Sequence, residues 1–201
     1  MGKSQITKGQ ILTEFADKAS DPERWFNTSK NLFSTAQLLE PKILSLWASI
    51  NARLRSQRRL GDLPSEVVEH QSVYLMLCAY CLENLMKSKI VENNPKEIRL
   101  QALETGLLPR QLKTHNLLEL AERCSIELTV AGKGLLRRLT RHAKWIGRYP
   151  LGTSIKTSYD LTPTTVDSLD SGWSERQVAA VKELIRTIAV CLGKTMPRAA
   201  R

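Results

Sequence analysis

Arg137, Arg141, Lys144 and Arg148 follow one another at three- and four-residue intervals, the spacing that stacks side chains along one face of an α-helix. A row of cations suits phosphate. The planar fork of arginine makes two charge-assisted hydrogen bonds to one phosphate group, and Tyr149 or Trp145 beside it offers a ring on which a base can stack. His142 lies in the same run and is the group there able to move a proton near neutral pH. Leu136, Leu139, Ala143 and Ile146 fall on the other side, so residues 133–148 read as one helix docked by its apolar face with a cationic ridge outward. Gly147 suits the end of that helix, and Pro150 keeps Tyr149 out of the α region, which sets Arg148 and Tyr149 at a fixed exit corner. Two readings of the ridge stand together: an anion-binding surface and a solvated basic face.

Outside this run the chemistry is sparser. Tyr80, Glu83 and Lys87 share a face of an otherwise apolar helix, with Glu83 and Lys87 at the favourable i, i+4 spacing. Either the two form an internal pair at the rim of a bundle, or Glu83 reaches across to orient an arginine of the basic helix or its corner. Cys78 and Cys81 have the spacing of a redox or metal pair. They lie mid-helix in an apolar run with no second pair, so with Cys191 they read as reduced core residues. Gly132-Lys133-Gly134 lacks the spacing and the Lys-Ser/Thr ending of a phosphate loop. No nucleophile elbow or paired-histidine metal motif is present, and His70, His115 and His142 are far apart in the chain. No cofactor or metal is expected.

The elements that must carry these residues are helices. Asp21-Pro22 is a helix start, with Asp as cap and Pro at the first helical position, and Pro41 is expected to kink or break that helix near Glu40. Ser65 opens a long helix through about Val91 that is apolar almost all round between Val73 and Leu82, as in the middle of a bundle. Asn94-Pro95 ends it, Gly106 and Pro109 break the chain again, and Thr114 caps the next helix, from His115 to Arg123. A polar stretch from Leu151 to Asp170 follows the basic helix. Ser174 and Gln177 form a capping-box pattern ahead of the seam Val178, Val181, Ile185, Ile188 and Leu192. With no strand-like alternation, the expected fold is all-α, an antiparallel bundle of four to five principal helices. Residues 1–20 form an arm or short helix, 21–192 the domain, and 193–201 a basic disordered tail.

The 201 residues suffice for one domain with a sizeable core, and 42% hydrophobic with 25% charged residues is the balance of a globular protein. The net charge of +10, from 30 Lys and Arg against 20 Asp and Glu, favours a polyanionic partner such as nucleic acid. No apolar run approaches a membrane span and the N-terminus lacks an apolar signal region, so a cytoplasmic protein without membrane contact is expected.

Four landmarks, in order, resemble the HEPN superfamily, whose members are all-α domains linked to RNA cleavage, nucleic-acid binding and bacterial conflict systems. They are Tyr80-Cys-Leu-Glu83-Asn-Leu-Met-Lys87, Thr114-His115-Asn116-Leu117-Leu118-Glu119-Leu120, Gly147-Arg148-Tyr149-Pro150, and the seam from Ser174 to Leu192. The resemblance extends over about residues 25–192. The resemblance implies a HEPN-like RNA-binding protein, with or without metal-independent ribonuclease activity, acting as a homodimer or as a toxin-like member of a defence pair. The alternative it implies is a non-enzymatic helical module that pairs with itself or with a nucleotidyltransferase-like antitoxin. Ribonuclease members carry Arg, four to six residues, then His. Arg137 and His142 meet that spacing, yet five residues of continuous helix turn through about 140°, so the two diverge. No His follows the Arg148 corner. The candidate catalytic set is therefore His142, Arg137 and Glu83, and the candidate nucleic-acid contacts are Arg137, Arg141, Lys144, Arg148 and Tyr149.

Overall fold

Asp21 sets where the longest helix begins. In the computed structural model, which describes residues 7–57, 65–146 and 175–197, the Asp21 carboxylate accepts from the backbone N–H of Glu23 at 3.0 Å and of Arg24 at 3.3 Å. These bonds satisfy donors that the first turn leaves without partners. Helix α2 then runs over Pro22–Gln57, and Pro41 does not break it. The expected break fails for an energetic reason. Proline inside a helix costs about 3 kcal/mol. Phe33 and Ala36 before it and Ile43 and Trp47 after it are all buried, and large apolar side chains contribute roughly 1.5–3 kcal/mol each.

Every element described is a helix. Ahead of α2 lies α1, Lys8–Ala19, closed at its start by a reciprocal capping box between Thr7 and Gln10. After it comes α3, Ser65–Asn93, whose pairing with α2 is the most extensive in the fold. Two polar ties cross that pair: Ser29 Oγ donates to the Cys81 carbonyl at 2.9 Å, and Trp47 Nε1 donates to Gln71 Oε1 at 3.0 Å. Helix α4, Pro95–Thr105, ends at Gly106, whose φ of 65° lies in the left-handed region that glycine adopts without strain. The short α5 (Arg110–Lys113) and α6 (Leu117–Arg123) follow, then α7 (Val130–Arg141), a π turn over His142–Ile146, and α8 (Glu175–Cys191).

Helix α3 is the axis of the fold: it touches α2, α4, α6, α7, the π turn and α8. Tyr74, Leu75, Cys78, Leu82, Leu85, Met86 and Val91 are essentially inaccessible, as its near-continuous apolar sequence anticipates. Val178, Val181, Ile185, Ile188 and Leu192 of the α8 seam are all buried against the same core.

Several local expectations change. Of the two alternatives for residues 1–20, the short helix is what residues 8–19 form, and it is packed, with Ala16 and Ala19 buried, α4 alongside, and Asp17 bound to Arg99 at 2.7 Å. Asn116, not Thr114, caps α6, because its side chain accepts from Leu118 N–H at 3.2 Å. Cys78 and Cys81 are buried, but Cys191 is exposed on the outer face of α8. The first residues of the expected tail are ordered: Met196 is buried, and Lys194 N–H donates to the Ala189 carbonyl at 2.8 Å. Residues 198–201, the Arg148-Tyr149-Pro150 corner, the polar stretch 151–170 and Ser174 lie outside the described residues.

Candidate functional site

Helix α7 starts where Thr129 Oγ1 accepts from Gly132 N–H at 3.1 Å. From there its two faces separate as the periodicity predicts. Leu136, Leu139 and Ala143 are fully buried, Arg137 is exposed, and Arg141 and Lys144 are half-buried. The single helix expected over 133–148 is divided, since the backbone widens into the π turn at His142. The hydroxyl of Tyr80 donates to the Ala143 carbonyl at 2.8 Å and so fastens that turn to α3. Such turns recur at functional sites in helical proteins. From Leu128 to Tyr159 the sequence holds no acidic residue and seven Lys or Arg, so α7 brings no carboxylate of its own to neutralise its cations.

His142 lies on the buried side, 7% exposed, while Arg137 faces out. Burial pushes the His142 imidazole down to about 3, with the charges of Arg138 and Arg141 acting in the same direction. An imidazole that stays neutral until strongly acidic pH is a poor match for proton transfer near neutrality. Glu83 joins neither of them. The candidate set His142, Arg137 and Glu83 is thus not brought together, and Arg148 and Tyr149 lie outside the described residues.

The partners of Glu83 are Lys87 and His115. Lys87 Nζ donates to Glu83 Oε1 at 2.6 Å, and His115 Nδ1 lies 2.8 Å from Glu83 Oε2. The Glu83 and Lys87 side chains are 6% and 4% exposed, so the pair sits inside the bundle rather than at its rim. The His115 side chain is 46% exposed. Lys87 is held further by the Trp25 ring, whose centroid is 5.7 Å from its Nζ.

The segment that presents His115 is tied on both sides. Thr114 Oγ1 accepts from Asn116 N–H at 3.1 Å and donates to Glu119 Oε2 at 2.8 Å. That bond, with Arg123 beside it, holds the Glu119 carboxyl below its ordinary range. Leu117 N–H donates to Thr140 Oγ1 at 3.2 Å, which joins the start of α6 to the last turn of α7. Residues 114–117, the Tyr80–Lys87 face of α3 and the junction of α7 with the π turn therefore meet at one place. His115 is the site residue that sequence reasoning passed over. Its signal was local: a histidine between Thr114 and Asn116, two residues that lock turns through side-chain bonds to backbone.

The remaining candidates carry less chemistry. Burial raises both the Cys78 and Cys81 thiols, Cys81 to about 12, so neither is a thiolate at neutral pH. Among the described residues there is no group of three or more His, Cys, Asp or Glu placed to hold a metal ion, and no helix long and apolar enough to cross a membrane. No family model matches the chain, and no curated protein or solved structure matches it either.

Proposed function

We propose that this chain is an RNA-binding helical protein of the HEPN type, acting in the cytoplasm, that takes the phosphate backbone along the outer face of α7. The observation that carries the reading is the acid-free basic segment: Arg137 is exposed, Arg141 and Lys144 are half-buried, and the opposite face is locked into the core by Leu136, Leu139 and Ala143. A face fixed in this way presents its cations at a set spacing. The net charge of +10 adds a long-range attraction that raises the encounter rate with any polyanion.

Salt dependence tests the proposal. If Arg137, Arg141, Lys144 and Arg148 each neutralise one phosphate of a single strand, the logarithm of affinity falls against the logarithm of salt with a slope of about −3. Between about 50 mM and about 200 mM salt that is a loss of roughly 50-fold. The charge-reversed variant R137E/R141E/K144E is expected to bind single-stranded RNA far more weakly and with a shallower slope. Absence of RNA binding by the natural chain at low salt overturns the reading and favours a module that pairs with another protein.

A further inference from the structure

We propose that the groove between α7 and α8 is a binding site for a medium-chain carboxylate, an unbranched apolar chain with one anionic end. The site is separate from the cationic face assigned to RNA. Helices α7 and α8 both rest on α3, yet among the described residues they hardly touch each other. The space left between them has a volume of about 670 Å³, within the range of pockets that take small molecules.

Each wall is one stripe of a helix. Ala131, Gly134, Leu135 and Arg138 stand at i, i+3, i+4 and i+7 of α7, and Gln177, Ala180, Leu184 and Thr187 at i, i+3, i+7 and i+10 of α8. At 1.5 Å per residue these stripes run about 10 Å and about 15 Å, a long and mainly apolar trough that suits a chain better than a compact ring. Val130 at its edge is 76% exposed, a large apolar side chain left to water. Glycine inside a helix weakens it, and packing does not require one at Gly134, because a Cβ there would meet no atom within 4 Å. What the glycine preserves is the width of the groove and close approach to the α7 backbone.

The polar end of the ligand follows from two buried side chains. Arg138 and Gln177 line the groove and are each 9% exposed. A guanidinium carries five N–H donors in a planar fork, more than a single partner within the fold takes up, and that fork matches a carboxylate. Glu127 and Glu183 also line the groove, but both are exposed. Water weakens their repulsion of an anion, whereas the buried guanidinium acts through a medium of lower dielectric. Arg138 therefore sets the sign of the ligand's charge, and the apolar walls set the nature of its body.

The test is titration calorimetry on the full chain with decanoate, octanoate and decanol. The natural chain is expected to take up one decanoate. Octanoate, two buried methylenes shorter, is expected to bind about 10-fold more weakly, and decanol, which lacks the charge, also about 10-fold more weakly. G134L places a side chain in the open groove and is expected to weaken decanoate about 100-fold or more without lowering the denaturation midpoint. A180L fills the groove from the other wall and stands in for G134L if circular dichroism shows that the leucine variant does not fold. R138K is expected to weaken decanoate while keeping the dependence on chain length. No saturable binding by the natural chain overturns the proposal and leaves the groove to a partner helix. Uptake of several decanoates per chain, equal affinity for decanoate and decanol, or undiminished binding by G134L or A180L overturns it as well. The RNA-binding reading stands or falls separately, since none of these variants alters Arg137, Arg141, Lys144 or Arg148.

Discussion

Replacing His142 with glutamine should change how stability depends on pH in a way that its burial dictates. In the fold the imidazole titrates at about 3 against an ordinary value of 6.5, whereas the unfolded chain has the ordinary value. Between those two values the unfolded state binds the extra proton and the native state does not, so stability falls as pH falls through that window. The loss from this group alone is about 0.8 kcal/mol at pH 6, about 2 kcal/mol at pH 5 and about 3 kcal/mol at pH 4, at 1.36 kcal/mol per pKa unit. The depressed carboxyls Glu14, Glu92 and Glu119 are largely solvated and begin to matter near and below their ordinary value of 4.5. Over the range from pH 7 to pH 5, comparison with H142Q therefore isolates His142, because the other histidines are common to both chains. Urea unfolding of the natural chain and of H142Q at matched pH measures it: the stability difference between the two should narrow by about 2 kcal/mol from pH 7 to pH 5. Parallel curves over that range would refute the reasoning and return His142 to the list of groups that exchange protons near neutrality.

Three further substitutions probe the same framework. E83A leaves the Lys87 ammonium buried without its carboxylate and should cost about 3–5 kcal/mol, whereas the double variant E83L/K87L should recover most of that loss in chemical denaturation. Y80F removes the bond to the Ala143 carbonyl and should cost about 1 kcal/mol, with faster amide exchange confined to the π turn. P41A restores a backbone donor within α2 and should raise stability by roughly 2 kcal/mol, the helix gain of about 3 less the greater freedom of the unfolded chain, read as a higher denaturation midpoint.

Periodicity was a sound guide wherever one face of a helix meets the core. The α8 seam, the apolar side of α7 and the central place of α3 all follow from spacing, because burial of apolar side chains dominates those choices. Pro41 departs from the local rule for the same reason in reverse: local backbone cost is a few kcal/mol, and the four buried residues flanking it outweigh that through contacts far away in sequence. Cys191 sits among apolar neighbours in the chain but falls on the outward side of α8, a matter of angular position that composition alone does not resolve. The site was legible in part. The i, i+4 spacing exposed the Glu83–Lys87 pair, but its meeting with His115 spans 32 residues and depends on how α6 docks. No local pattern encodes that docking.

Both halves of the site hang from α3. Tyr80 fastens the π turn after the basic helix, and Glu83 fastens the imidazole. Three residues separate them, a rise of about 4.5 Å along one turn of the most buried helix in the fold. The relative placement of the π turn and His115 is thus set by a rigid element, while the two segments it holds are a helix end and a loop. Such a division makes the two roles separable. Loosening Tyr80 acts on where the π turn and Lys144 stand, whereas neutralising Glu83 acts on the aim of the His115 ring.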